Sequence, residues 1–169
     1  MSFSDLDSIH VPAAGNRAPA SWGQQVNANF DYIYDEVLAK LGAWTSYTPS
    51  LQQGGNVSKT VTYARYFKLG RFVTAEVSLA VTGSGTSSTA VEVGLPVTAA
   101  TSNIIVGTFY LSDVSTSTVH LGAAVLANTG EVAGIGTGTN GNPFGVATFT
   151  AALASGDAVF MAVTYEAAS

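Results

Sequence analysis

The sequence predicts a mainly-β protein, an antiparallel β-sandwich of jelly-roll type, preceded by an extended N-terminal arm and one short oligomerising α-helix. Three observations carry that expectation. The run "FVTAEVSLAVT", Phe72 to Thr82, alternates with period two: Val73, Ala75, Val77, Leu79 and Val81 share one face, and Thr74, Glu76, Ser78 and Thr82 the other. Turn signals recur at Gly83-Ser84-Gly85, Asn128-Thr129-Gly130, Asn140-Gly141-Asn142 and Ser155-Gly156-Asp157. Only "SWGQQVNANFDYIYDEVLAKLGAW", Ser21 to Trp44, is written with helical spacing.

The elements follow in chain order. Residues 1–20 read as an extended docking arm, because Pro12, Gly15 and Pro19 interrupt any regular element. Residues 21–43 read as an amphipathic helix that brings several copies of the chain together. Ser21 caps its free amides, Gln24 completes a capping box, and Gly42 supplies the stop. Its apolar seam is Val26, Phe30, Ile33, Val37, Leu41 and Trp44, and the opposite face carries Asn27, Asp31, Asp35, Glu36 and Lys40. The competing arrangement packs this stripe on the sheet of its own subunit; so narrow a stripe suits a helix–helix seam better.

Residues 44–169 read as the sandwich. "KTVTYARYFKL", 59–69, and the Phe72–Thr82 run form a hairpin about Gly70-Arg71. "AVEVGLPV", 90–97, is a third strand, whose Pro96 marks an edge or an end. Further strands fall in 103–113, 117–128, 130–138, 143–153 and 157–167.

Composition narrows the function classes. Apolar residues make up 47% and charged residues 10% of the 169, against about 25% charged in an average domain. The exposed faces must therefore be coated with Ser, Thr, Asn and Gly or lie in contacts between subunits. A net charge of −5 argues against a phosphate-binding footprint, so nucleic acid is not an expected partner. No apolar run reaches the roughly 18 residues of a membrane span, so no membrane insertion is expected. "MSFSDLDSIH" places acids where an export leader would have bases.

Catalytic chemistry finds no purchase. The chain lacks cysteine, and His10 and His120 have no metal-ligand partners at useful spacing, so neither a metal nor a cofactor is expected. Glu76, Glu92, Asp113, Glu131, Asp157 and Glu166 read as single, solvated acids, although two converging across the sheet would serve glycoside hydrolysis. "GIGTGTNG", 134–141, has Gly-x-Gly spacing but precedes "NPFG" rather than a helix, and "GSGTSST" lacks a phosphate-loop lysine; both read as turns. For a glycan contact the candidates are Tyr110, Asp113, Asn140, Asn142 and Phe144, which combine aromatic faces with polar groups near loops. The plainer account has Phe144 plugging the sandwich and the asparagines turning the chain.

A resemblance then enters through particular residues. Trp44, Tyr47 and Pro49, then Ala64-Arg65-Tyr66, Gly70-Arg71 and Leu95-Pro96-Val97 with Ala99, resemble the β-domain of bacteriophage minor structural and tail-fibre proteins. "FMAVTYEAA" is similar to the closing strand of such domains, and "PAAGNRAPASWGQQVNANFDYIYD" to the attachment segments that precede them. The resemblance implies a non-enzymatic virion-surface protein that trimerises through its short helix. Residues 1–20 would hold other virion proteins and the β-domain would contact the host surface, with its glycans as partner. A tail fibre normally has a long shaft and this chain has none, so a capsid decoration or head-spike protein is the alternative.

Overall fold

The computed structural model describes residues 20–34, 43–137, 146–148 and 151–169. The chain divides into two compact units, Met1–Ala43 and Trp44–Ser169. The division falls where the composition changes from helical to period-two writing.

In the first unit, α1 (Ala20–Tyr32) runs into a π-helical turn at Ile33 and Tyr34. It begins one residue before the expected start. The seam positions Val37 and Leu41, and nearly all of the docking arm 1–20, lie outside the described residues.

The second unit is one curled antiparallel sheet. Its strands are β1 (Thr45–Ser46), β2 (Leu51–Gln52), β3 (Lys59–Leu69), β4 (Phe72–Val81) and β5 (Glu92–Gly94). They continue with β6 (Ile105–Asp113), β7 (Thr118–Leu126), β8 (Glu131–Thr137), β9 (Val146–Thr148) and β10 (Ala158–Glu166). The spatial order is β1-β3-β4-β10-β6-β7-β8-β5-β2, with β9 on β8. The last long strand is thus inserted between β4 and β6.

β1 pairs with β3 at one end of that order, and β2 pairs with β5 at the other. Only residues 47–50 separate β1 from β2 in the chain. The segment 45–52 therefore ties the two ends of the sheet together and forces the curl. The mainly-β, sandwich-like fold agrees with the sequence expectation, but one sheet folding back on itself provides it.

Alternation explains the core. Val73, Ala75, Val77, Leu79 and Val81 of β4 are all buried, as are Val159, Met161, Val163 and Tyr165 of β10. Leu111 and Phe109 of β6, Leu126 of β7, Val132 of β8, Val93 of β5 and Leu51 of β2 complete the interior. Burying each Val or Leu contributes about 1.5–3 kcal/mol, so the inward rank of β4 and β10 outweighs any single surface pair.

The β3–β4 hairpin turns at Gly70, whose φ of 59° lies in the left-handed region open to glycine. β5 stops at Gly94, before Pro96, as a proline at a strand end requires. Of the expected 143–153 strand, 146–148 form β9 and 151–153 lie outside any strand, while 143–145 and 149–150 fall outside the described residues. Gly134 and Gly136 lie within β8, inside the strand expected over 130–138 and against the turn expected from their Gly-x-Gly spacing, and pair with Ala124 and Gly122.

Candidate functional surface

Ladder register decides which side chains leave the core together. Facing outward across β10, β6 and β7 is the rank Phe160, Tyr110, Leu121, since Phe160 opposes Tyr110 and Tyr110 opposes Leu121. The next rank is Ala158, Ser112, Val119, and on the other side lies Ala162, Thr108, Ala123. None of these side chains is charged. Leu121 is 64% exposed, Val119 58% and Phe160 39%. The Tyr110 and Phe160 rings meet edge to face, centroids 5.2 Å apart. Ile105, 72% exposed, continues the surface along β6. Such a contiguous apolar face is unusual on a lone soluble domain.

Beside it, on β3 and β4, lies a polar and aromatic cluster. Arg65 Nε and Nη2 both donate to Glu76 Oε2, at 3.1 and 2.8 Å, and the Tyr63 hydroxyl donates to the same oxygen at 2.8 Å. The Arg65 guanidinium lies 4.4 Å from the Trp44 ring centroid and 5.3 Å from that of Tyr63. The hydrogen bond from Tyr63, then that from Arg65, holds the Glu76 carboxyl below its ordinary value. The cluster neutralises itself, and as an exposed pair it adds little stability.

Trp44 has a partner in the β-unit. It was expected to close the helical seam, yet its ring lies under Arg65 in the β-unit. A cation–π partner on a neighbouring strand leaves no signature in helical spacing. Phe30 and Ile33 lie on the helical segment and are exposed, while Val26 is half-buried.

Several acids also depart from the expectation of single, solvated groups. Asp113 and Asp157 are each 1% exposed. Asp113 Oδ1 accepts from the Ser115 hydroxyl at 2.7 Å and the Thr116 amide at 3.1 Å, closing the β6–β7 turn. Burial pushes its carboxyl up, but these hydrogen bonds outweigh burial and hold it below the usual range. Asp157 accepts from the Val114 and Ala154 amides at 2.9 and 2.8 Å. Asp113 thus folds a turn, and its burial removes it as a glycan contact.

Glu92 and Glu131 sit diagonally on the β5–β8 ladder, since Glu92 opposes Ala133 and Glu131 opposes Gly94. Burial, and then the Glu131 charge, raise the Glu92 carboxyl. Glu131 itself accepts from Gln52 and from Asn128.

Of the other glycan candidates, Tyr110 lies on the apolar face, while Asn140, Asn142 and Phe144 fall outside the described residues. His10 does too. His120 Nε2 lies 3.1 Å from Thr118 Oγ1 at the end of β7. Among the described residues no three His, Asp or Glu side chains are grouped to hold a metal ion, and no helix is long and apolar enough to cross a membrane.

The arrangement suits recognition by contact, with an uncharged apolar centre and an aromatic–arginine rim of the kind that protein interfaces favour. Sequence reasoning missed the face because it read each strand's outward residues separately. Register stacks Phe160, Tyr110 and Leu121 from three strands. No family model, curated protein or solved structure matches this chain.

Proposed function

We propose that this chain is a non-enzymatic structural protein of a bacteriophage virion. In this reading it is a trimeric surface component of the tail or baseplate, whose β-unit contacts the host surface. The observation that carries the proposal is the state of the helical segment. Phe30, Tyr32 and Ile33 are 49%, 64% and 45% exposed. A helix of 13 residues on its own is marginal in water, and packing its exposed side chains against other copies would stabilise it. The resemblance of Trp44–Ala99 and of the arm to virion proteins supplies the biological setting.

Light scattering on the purified full-length chain tests it. A trimer weighs three times 17.2 kDa, which is 51.6 kDa, and Ile33→Asp should reduce it to monomer, because an unpaired charge cannot be left in a packed seam. A trimer of undiminished mass in the Ile33→Asp protein would refute the seam.

The alternative, a capsid decoration or head-spike protein, differs only in what holds residues 1–20. Deleting them should leave the β-unit folded and abolish docking; capsid binding that depends on 1–20 favours the shell, and cell-wall binding by the β-unit favours the tail. Among the described residues, the diagonal placement of Glu92 and Glu131 on the β5–β8 ladder is what favours a small glycan hydrolase. Reducing-sugar release from host cell wall that Glu92→Gln abolishes would favour that reading instead.

A further inference from the structure

We infer that the outer face of β10, β6 and β7 is a contact surface between copies of this chain, distinct from the helical seam. This extends the assembly reading above and adds a second interface on the β-unit.

Three observations select another copy as the occupant. The first is charge. The chain carries −5 overall, so copies repel wherever acids face one another, yet the ranks around Tyr110 hold no charge. The nearest outward acid, Glu76 opposite Ala162, is neutralised by Arg65. At physiological salt charges act over about 8 Å, so a like-charged copy meets little opposition at this face. A basic or acidic partner finds nothing there to attract it.

The second observation is shape. Phe160, Tyr110 and Leu121 project from neighbouring strands of one sheet, and the small Ala158, Ala162, Ala123 and Thr108 flank them. Two such faces can pack at the usual ~10 Å sheet separation without opening a groove for a peptide. The third is exposure. Leu121, Val119 and Ile105 are each more than half exposed, and covering them returns about 25 cal/mol per Å² of apolar area. Copies already joined through the helices would meet at high effective concentration, so even a small face suffices.

The chain has no cysteine, so one introduced thiol reports one place. Leu121→Cys and, as a second probe of the same face, Val119→Cys are made in the full-length chain, with Ser87→Cys in an exposed loop as reference. Each purified protein, kept reduced, is reacted with a bulky polyethylene-glycol maleimide over a range of protein concentration. The expected result is that labelling at positions 121 and 119 slows about tenfold as the protein assembles by mass action, while position 87 reacts at a constant rate. Adding Phe160→Lys should restore fast labelling at position 121.

Repeating the series with Ile33→Asp separates the two interfaces. Protection that persists without the helix supports an autonomous face, and protection lost together with the trimer supports a face held closed by the seam. Full reactivity of both probes at every concentration overturns the inference, whatever the mass of the particle. Shielding of both in a proven monomer overturns it too, in favour of cover by the chain's own residues.

Discussion

The Leu153 backbone amide donates to the Gln53 side-chain carbonyl at 2.7 Å, across 100 residues of sequence. Gln53 is 1% exposed, and its Nε2 donates to the Ala151 carbonyl at 3.0 Å and the Thr89 carbonyl at 3.4 Å. One buried amide therefore fastens the end of β2 to two loops that the ladders leave unpaired. Gln53→Leu should cost about 3 kcal/mol, because it strands buried backbone groups without partners. Urea denaturation of the variant checks this, and a loss below about 1 kcal/mol would mean that water takes over the role.

Two phenols are held neutral by the fold. Burial raises Tyr165 to about 12, and its hydroxyl donates to the Val97 carbonyl at 2.7 Å, a bond that only the protonated phenol can make. Burial and the nearby Tyr165 raise Tyr47 further still. With folded values above the unfolded value of about 10, their contribution is complete below pH 10. It is lost as pH climbs from about 10 towards 12, because the unfolded chain ionises first. Absorbance at the phenolate band should show Tyr47 and Tyr165 among the last of the seven tyrosines to titrate. Urea midpoints should fall over the same interval.

Glu92 titrates with the opposite consequence. Its raised carboxyl makes the charged form unfavourable in the fold, so stability is gained as pH falls through that raised value. Glu92→Gln should stabilise the protein at neutral pH by ~0.3 kcal/mol, the scale of a like-charge contact across a sheet. The gain should vanish in acid, where Glu92 is protonated in both states. Thermal melts of both proteins at two pH values measure it, and a gain that is equal at both would show that charge is not the cause.

The bare backbone of Gly134 is where the Phe109 ring lies. A Cβ there would come 2.4 Å from ring atoms, so Gly134→Ala should cost about 2 kcal/mol by overpacking. Combining it with Phe109→Leu should cost less than the sum of the two, since the smaller side chain frees the space. Additive losses in chemical denaturation would place the strain elsewhere.

How far the fold could be read from the chain depended on element length. β4 is long enough for alternation to declare itself, and Gly70-Arg71 fixed the turn to β3, so the bounds of both strands and the buried face of β4 were legible. β1 and β2 have two residues each, and no periodicity exists in two residues. The Gly-x-Gly run read both as the end of a strand and as a turn, because a glycine serving a neighbouring aromatic ring looks, in sequence, like a glycine serving a bend. The acids fared similarly. Asp113 and Asp157 carry ordinary turn chemistry, and their burial depends on strands that arrive from elsewhere in the chain.

Local patterning by itself determined the class of this protein: a low-charge, cysteine-free β-unit after a helical segment, with its inward residues chosen by period two. Tertiary structure alone decided the insertion of β10 between β4 and β6, the closure of the sheet by residues 45–52 and the alignment of Phe160, Tyr110 and Leu121. The physical reason is the range of the forces involved. Alternation and turn chemistry act over a few residues and leave their mark in order along the chain. Strand pairing joins residues tens of positions apart, and its register becomes visible only when the backbone hydrogen bonds have chosen their partners.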